Sequence, residues 1–207
     1  MPNPYVQFGC GLCAPKSWRN FDVSPTLRLQ KVPLLGQLSS RFLVRFPANV
    51  EYGDIVRGLP LQPQSCKAIY CSHVLEHLAL DDFRLAIKNV YSYLETDGVF
   101  RFVLPDLEIL ARNYLSSEDA DASLAFMRHS RLGEETRPRG FSRFVRHWLG
   151  NSAHLWMWDF RSLSSELENV GFRNVRRATC GDSQEPRFDE VEDPSRWESC
   201  LGMECVR

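Results

Sequence analysis

The chain has 207 residues, 43% of them apolar and 25% charged, which is long enough for one well-buried domain and short for two independent ones. Its 25 basic and 26 acidic side chains nearly cancel, so no overall field draws the protein to a nucleic acid or a membrane. With no apolar stretch near the roughly 20 residues of a membrane span and no signal-peptide pattern, we expect a cytoplasmic protein.

Short apolar runs in the first part of the chain predict four strands, at residues 5–8, 18–22, 50–54 and 67–72. The last run is continuous and mostly apolar, as expected for a strand that is covered on both faces. Between the second and third runs, Ser24-Pro25 predicts the start of a helix, because serine caps helices and proline is tolerated in their first turn.

Helices and strands alternate in the remainder of the chain. A helix that opens at Leu80 has apolar residues at three- and four-residue spacing and is predicted to end at Asp97-Gly98. Further strands are predicted at residues 99–104, 174–179 and 198–206, with an amphipathic helix at residues 160–170. This alternation indicates an α/β fold whose parallel sheet is built from right-handed crossovers.

Residues 107–150 interrupt the alternation with two helical stretches around a loop-like centre. The segment is too long for a plain connection, so we interpret it as a helical lid inserted into a single domain of residues 1–207. Aromatic residues there are interleaved with six arginines: Arg128, Arg131, Arg137, Arg139, Arg143 and Arg146. This mix suits a phosphate-bearing or aromatic small-molecule acceptor, and it is equally typical of a solvated helix face beside a core stripe.

Polar and glycine-rich loops follow four of the predicted strands. Open α/β sheets bind ligands at the carboxyl ends of their strands, and these ends carry Gly9-Cys10-Gly11, Asp22, Asp54 and Ser72-His73. The glycines allow a close approach of backbone to a bound molecule. Two carboxylates on separate strand ends suit a ligand with ribose hydroxyls and an adenine amino group, which donate hydrogen bonds.

These motifs resemble those of the class I S-adenosylmethionine (SAM)-dependent methyltransferases, in particular a small bacterial type that reads roughly GCG, GWxNxD and SHVLEHL. The corresponding segments here are Phe8-Gly9-Cys10-Gly11, Ser17-Trp18-Arg19-Asn20-Phe21-Asp22 and Ser72-His73-Val74-Leu75-Glu76-His77-Leu78. The resemblance implies a Rossmann-like, doubly wound, mostly parallel sheet with an antiparallel last strand. It also implies SAM as the cofactor and methyl transfer to a small-molecule acceptor.

A cofactor site follows from the same resemblance. It implies that the glycine loop packs against the methionine and ribose portions of SAM, and that Asp22 accepts hydrogen bonds from the ribose. Asp54 and Ile55 would hold the adenine. The implied cofactor-binding residues are Phe8, Gly9, Cys10, Gly11, Asp22, Asp54, Ile55, Ser72 and His73.

Two residues depart from the pattern. Gln7 stands where many members carry an acidic residue, and Asp22 follows Gly11 by only 11 residues, where a full crossover helix would need about 20. The first crossover helix is therefore predicted to be truncated or missing. These departures leave open the alternative that the chain is a non-catalytic SAM-binding or partner protein.

Methylation of an oxygen or nitrogen nucleophile often requires a base. The candidates are His154, His73 and Asp106, and the histidines rank first because an unperturbed histidine titrates near pH 6.5.

Two motifs of other protein classes overlap the methyltransferase-like segments. Gly9-x-Gly11-x-x-Ala14 matches the dinucleotide fingerprint, but Pro15 and the early second strand argue against the long first helix that NAD binding uses. His73-x-x-Glu76-His77 spells the inverted zinc-hydrolase motif. Because no third ligand stands at a matching position, we expect no metal, and a zinc-dependent hydrolase remains the lesser alternative.

The seven cysteines are odd in number and scattered. Without a secretion signal they are expected to be reduced thiols.

Overall fold

The computed structural model describes residues 5–30, 45–133, 135 and 153–207. Its described part contains one seven-stranded sheet in the order β3-β2-β1-β4-β5-β7-β6. Strand β7 runs antiparallel to both of its neighbours, whereas β1 to β5 pair in parallel. The strands are β1 (Tyr5–Phe8), β2 (Arg19–Asp22), β3 (Val50–Tyr52), β4 (Cys66–Ser72), β5 (Leu94–Pro105), β6 (Arg173–Ala178) and β7 (Cys200–Val206). The predicted fold class is thereby confirmed.

Helices accompany the sheet: α1 (Pro25–Gln30), α2 (Leu80–Tyr93), α3 (Leu107–Ser116), α4 (Ala122–Ser130) and α5 (Phe160–Val170). Short 3-10 turns occupy Leu75–His77, Pro186–Glu190 and Pro194–Arg196. Helix α5 has its predicted bounds, because Asp159 and Ser162 form a capping box and Gly171 ends the helix at φ 117°. The predicted end of α2 at Asp97-Gly98 is wrong, since Leu94 is fully buried and already pairs with Cys66 in the sheet.

Both faces of the central strands are covered. On one face, apolar residues of α2 and α5, such as Phe83 and Leu163, pack against β5. On the other face, Tyr70 packs against Phe188 of a 3-10 turn. β4 is therefore covered on both faces, as its continuous apolar pattern predicted.

No helix lies between β1 and β2 in residues 9–18, all of which are described. A buried polar pair holds this connection instead. Nε2 of Gln7 donates to Oδ1 of Asn20 at 2.6 Å and to the Cys13 carbonyl at 2.7 Å. Nδ2 of Asn20 donates to the Pro15 and Trp18 carbonyls. Because an acid at position 7 would lack these donors, glutamine suits a connection without a helix.

Of the predicted lid, the structure describes α3, α4 and the residues up to 133, together with residue 135. Residue 134 and residues 136–152 lie outside the described part, so the extent of the lid stays a prediction. Among the described helices, none has both the length and the apolar character needed to cross a membrane.

Candidate functional site

Two glycines in the loop after β1 have backbone conformations that other residues rarely adopt. Gly9 has φ +63° and Gly11 has φ +54°, both in the left-handed region that favours glycine. A Cβ on Gly9 would lie 2.2 Å from Cγ2 of Val74, whereas one on Gly11 would meet nothing within 4 Å. Gly9 thus permits the loop to pass directly against the turn that follows β4.

Asp22 braces the same loop from the end of β2. Its Oδ2 accepts a hydrogen bond from the Gly11 N–H at 2.9 Å, and its Oδ1 accepts one from the Ser24 N–H at 2.8 Å. The residue is only 9% exposed. Each carboxylate oxygen has two lone pairs, so Asp22 can hold the loop and still accept from a ligand.

Asp54 lies in the turn after β3. Its Oδ1 accepts from the Val56 N–H at 3.0 Å, and its Oδ2 is 3.4 Å from Nε of the exposed Arg57. The neighbouring Ile55 is buried at 5% exposure. This turn combines a carboxylate with an apolar side chain at the strand ends.

The predicted cofactor residues surround two cavities. The first, of about 270 Å³, is here called the carboxylate cavity; its lining includes Phe8, Gly9, Asp22, Asp54, Ile55 and His73. The second, of about 420 Å³, is called the glycine-loop cavity; its lining includes Phe8, Gly9, Cys10, Gly11, Ser72 and His73. All nine predicted cofactor residues therefore line one or both of them.

The thiol of Cys10 is not a reactive group in this loop. Burial, and then the nearby Asp22 charge, raise its pKa to about 12. All seven cysteines of the chain are described, and none forms a disulfide in this structure.

A third cavity, of about 470 Å³, adjoins the other two and is called the histidine cavity. All three predicted bases line it: His73, Asp106 and His154. Because His73 also lines the carboxylate and glycine-loop cavities, it lies at their junction. This residue has φ +53°, and such backbone strain in a non-glycine residue is frequent at functional sites.

His73 is surrounded by polar groups. Its Nε2 lies 2.9 Å from the Arg196 carbonyl, and its Nδ1 lies 3.3 Å from Oε1 of Glu76. Burial by itself lowers the pKa of His73, but the contacts with Cys200, Glu76 and the Arg196 carbonyl outweigh it and raise the pKa to about 9.

The other two predicted bases differ in their surroundings. His154 is 6% exposed, and burial lowers its pKa. Asp106 is 1% exposed, accepts from the Glu108 N–H at 2.8 Å as the cap of α3, and pairs with Arg177 at 3.1 Å. Asp106 therefore has a structural role that accounts for its burial.

Arginine and further histidine side chains also line the histidine cavity. Arg131 and His129 reach it from the end of α4, and Arg196 reaches it from a 3-10 turn. Arg128 pairs with Glu135 instead. The other arginines of the predicted lid, Arg137, Arg139, Arg143 and Arg146, lie outside the described residues.

Sequence reasoning missed Arg196. Its Nε donates to Oγ of Ser72 at 2.8 Å, and its side chain lines both the glycine-loop and the histidine cavities. The segment that carries it has neither helical nor alternating periodicity, so the only local signal is Asp193-Pro194, which caps and opens the turn.

A family model described as a methyltransferase domain matches residues 19–177. No curated protein sequence matches the chain significantly.

Solved structures share the fold. A SAM-dependent methyltransferase from Archaeoglobus fulgidus aligns over 98% of this chain and 85% of its own, with TM-score 0.51 and 14% identity. A possible exported protein from Bordetella parapertussis aligns over all of this chain, with TM-score 0.51 and 12% identity. This chain spans 62% of the latter's length, and 48% of a phosphoethanolamine N-methyltransferase from Haemonchus contortus at TM-score 0.49 and 10% identity. At these identities the likeness to the first two structures is one of fold.

Proposed function

The chain belongs to the methyltransferase domain family, and on that premise we propose that it transfers the methyl group of SAM to a small-molecule acceptor held in the histidine cavity. One observation carries the proposal. His73 lines the two cavities that contain the predicted cofactor residues and also the one that contains the predicted bases. A molecule in the first two would therefore adjoin a molecule in the third.

The residues present fit SAM. The absence of a Cβ on Gly9 lets the glycine loop lie directly against Val74, and both residues line the carboxylate cavity. Asp22 and Asp54 supply acceptors for ribose and adenine donors, and Ile55 supplies an apolar contact. We propose that the carboxylate cavity holds the adenosine portion. Gly11, Ser72 and Arg196 of the glycine-loop cavity would then hold the methionine portion.

SAM supplies an electrophilic methyl group on a sulfonium when it is bound. The task of the protein is then to hold the acceptor in line with that methyl group, which can account for most of the acceleration. We propose that His73 and His154 contact the acceptor. Asp106 is a less suitable base, because Arg177 and the first turn of α3 already engage its carboxylate.

The acceptor that best matches this cavity carries a phosphate or another anionic group. Arg131 and Arg196 line the cavity, and guanidinium groups recognise phosphate through paired hydrogen bonds. Leu110 of α3 and His129 of α4 also line it, which supports a lid at residues 107–150 that covers the acceptor rather than SAM.

Calorimetry with SAM, its demethylated product and NAD tests the cofactor assignment. We expect the first two to bind and NAD not to bind; failure of SAM to bind, or binding of NAD instead, would overturn the proposal. Transfer is then measured from methyl-labelled SAM to a panel of phosphorylated and aromatic small molecules. SAM binding without transfer to any acceptor would favour the non-catalytic alternative.

Arg131→Ala tests the location of the acceptor. It should impair transfer while SAM affinity is unchanged, since Arg131 lines only the histidine cavity among the three. Arg128→Ala is the matched control, because that side chain pairs with Glu135 on the protein surface. Equal effects of the two substitutions would place the acceptor elsewhere.

A further inference from the structure

The turn after β4 meets a distant segment of the chain beside the histidine cavity. Glu76 and His77 lie in the 3-10 turn Leu75–His77. The N–H groups of Leu155 and Trp156 both donate to the Glu76 carbonyl, at 2.8 and 3.2 Å. These bonds bring His154 to the turn, where one ligand atom each from Glu76, His77 and His154 lie within 4.8 Å of one another.

Buried polar atoms in this cluster have no hydrogen-bond partner among the described residues. The Glu76 side chain is only 1% exposed, and neither of its carboxylate oxygens accepts a hydrogen bond from the described residues. The nearby Nδ1 of His73, at 3.3 Å, is an ionic neighbour. Nδ1 of His154 is also buried without a described hydrogen-bond partner. Because unsatisfied buried polar groups are costly and rare, the cluster calls for a further partner.

His77 is already oriented as a metal ligand would be. Its Nδ1 lies 2.9 Å from the Ala153 carbonyl. Since a carbonyl can only accept, Nδ1 carries the proton, and the lone pair of the neutral ring is on Nε2. A backbone carbonyl on the far nitrogen is one of the ways in which proteins fix the tautomer of a metal-binding histidine.

We propose that Glu76, His77 and His154 bind a divalent transition-metal ion. Two imidazoles and one carboxylate match the donor set of catalytic zinc sites and of related first-row metal sites. Bonds of about 2.0–2.2 Å would hold ligand atoms roughly 3.4 Å apart, so small side-chain movements close the site. This inference revises the expectation of no metal: the fold adds His154, and Glu76 takes the ligand place that the HxxEH motif gives to His73.

The site has an open side. All three ligands line the histidine cavity together with His73 and Arg131, and three protein ligands beside a cavity are characteristic of metals that bind a further molecule. If the acceptor occupies this cavity, which rests on the proposed function, His154 would contact it through the metal, which would favour an oxygen acceptor by polarising it. The metal site itself does not depend on that proposal.

Metal binding is measured first on the chelator-treated protein without SAM. We expect Zn²⁺ titration by calorimetry to give one site per chain, and Co²⁺ to give a visible absorption band that Zn²⁺ abolishes. His77→Ala and His154→Ala should each weaken Zn²⁺ at least tenfold. Glu76→Gln keeps the shape of the buried side chain but removes its charge, and it should also weaken Zn²⁺ binding at least tenfold.

His129→Ala is the matched control, since His129 lines the same cavity outside the cluster. It should bind Zn²⁺ as the unsubstituted protein does. Circular dichroism shows whether each variant is folded. The inference is overturned if the unsubstituted protein binds neither ion, or if folded His77→Ala and His154→Ala variants bind Zn²⁺ as tightly as it does. Because these titrations contain no SAM, their result is independent of whether SAM binds.

Discussion

The Gly11 N–H donates to the Asp22 carboxylate at 2.9 Å, so the end of β2 holds the loop that follows β1. The other oxygen of Asp22 accepts from the Ser24 N–H and so fixes the start of α1. A single carboxylate therefore ties together two of the loops proposed to contact the cofactor.

Asp22→Ala should weaken SAM by about 1–3 kcal/mol, since it leaves backbone donors unpaired and removes the proposed ribose acceptor. Calorimetry measures the affinity. Asp82→Ala, which removes an exposed carboxylate on α2, should leave it unchanged. Unaltered SAM binding by a folded Asp22→Ala variant would show that Asp22 serves the fold alone.

Asp54→Ala should also weaken SAM by about 1–3 kcal/mol, the usual range for a lost hydrogen-bond partner. Asp54→Asn is the informative companion, because it keeps an acceptor for the Val56 N–H but removes the charge. Full affinity in both variants, by the same titration, would mean that the adenine lies outside this turn.

Gly9→Ala should abolish or strongly weaken SAM binding, because its Cβ would overlap Val74 at 2.2 Å. Gly181→Ala is the control, because Gly181 has a similar positive φ of +76° and a Cβ there would meet nothing within 4 Å. Its loss of folding stability should therefore reflect only the backbone strain of about 1–3 kcal/mol. Adding Val74→Ala to Gly9→Ala should restore part of the affinity. If Gly9→Ala is as stable as Gly181→Ala and binds SAM normally, the close approach of Gly9 to Val74 is not needed for SAM binding.

Asp182 should make the protein sensitive to acid. Burial alone raises its pKa, but hydrogen bonds from Arg176, the Thr179 N–H and Arg101 outweigh this and hold the pKa well below its usual range. A carboxyl whose pKa is lower in the folded state stabilises the fold above its unfolded pKa of about 3.9, and loses that contribution as the pH falls below it.

The measurement is urea unfolding of Asp182→Asn and of the unsubstituted protein at neutral pH and at successively lower pH. The substitution should cost stability at neutral pH, and the difference should shrink as the pH falls below about 4. Asp81→Asn, at a side chain that is 96% exposed, should have little effect at any pH. A difference that does not vary with pH would contradict the role of the Asp182 charge.

Local sequence was sufficient for the presence of each strand, for the bounds of helix α5 and for the glycine loop, but not for the start of β5 at Leu94. Alternation, helical spacing and capping act over a few residues, so Asp159, Ser162 and Gly171 specify the bounds of α5 wherever it packs. The predicted end of α2 was wrong because strand pairing ends the helix. Leu94 pairs with Cys66, and local periodicity holds no information about that contact.

The arrangement of the site was decided by the tertiary structure. Arg196 reaches Ser72, and His154 joins Glu76 and His77, only because the loops at one edge of the sheet pack together. Sequence identifies which of these residues can bear a proton or a lone pair, since that is a property of each side chain. Their distances and burial depend on the strand order and on backbone hydrogen bonds such as those from Leu155 and Trp156 to Glu76, which arise between segments far apart in the chain.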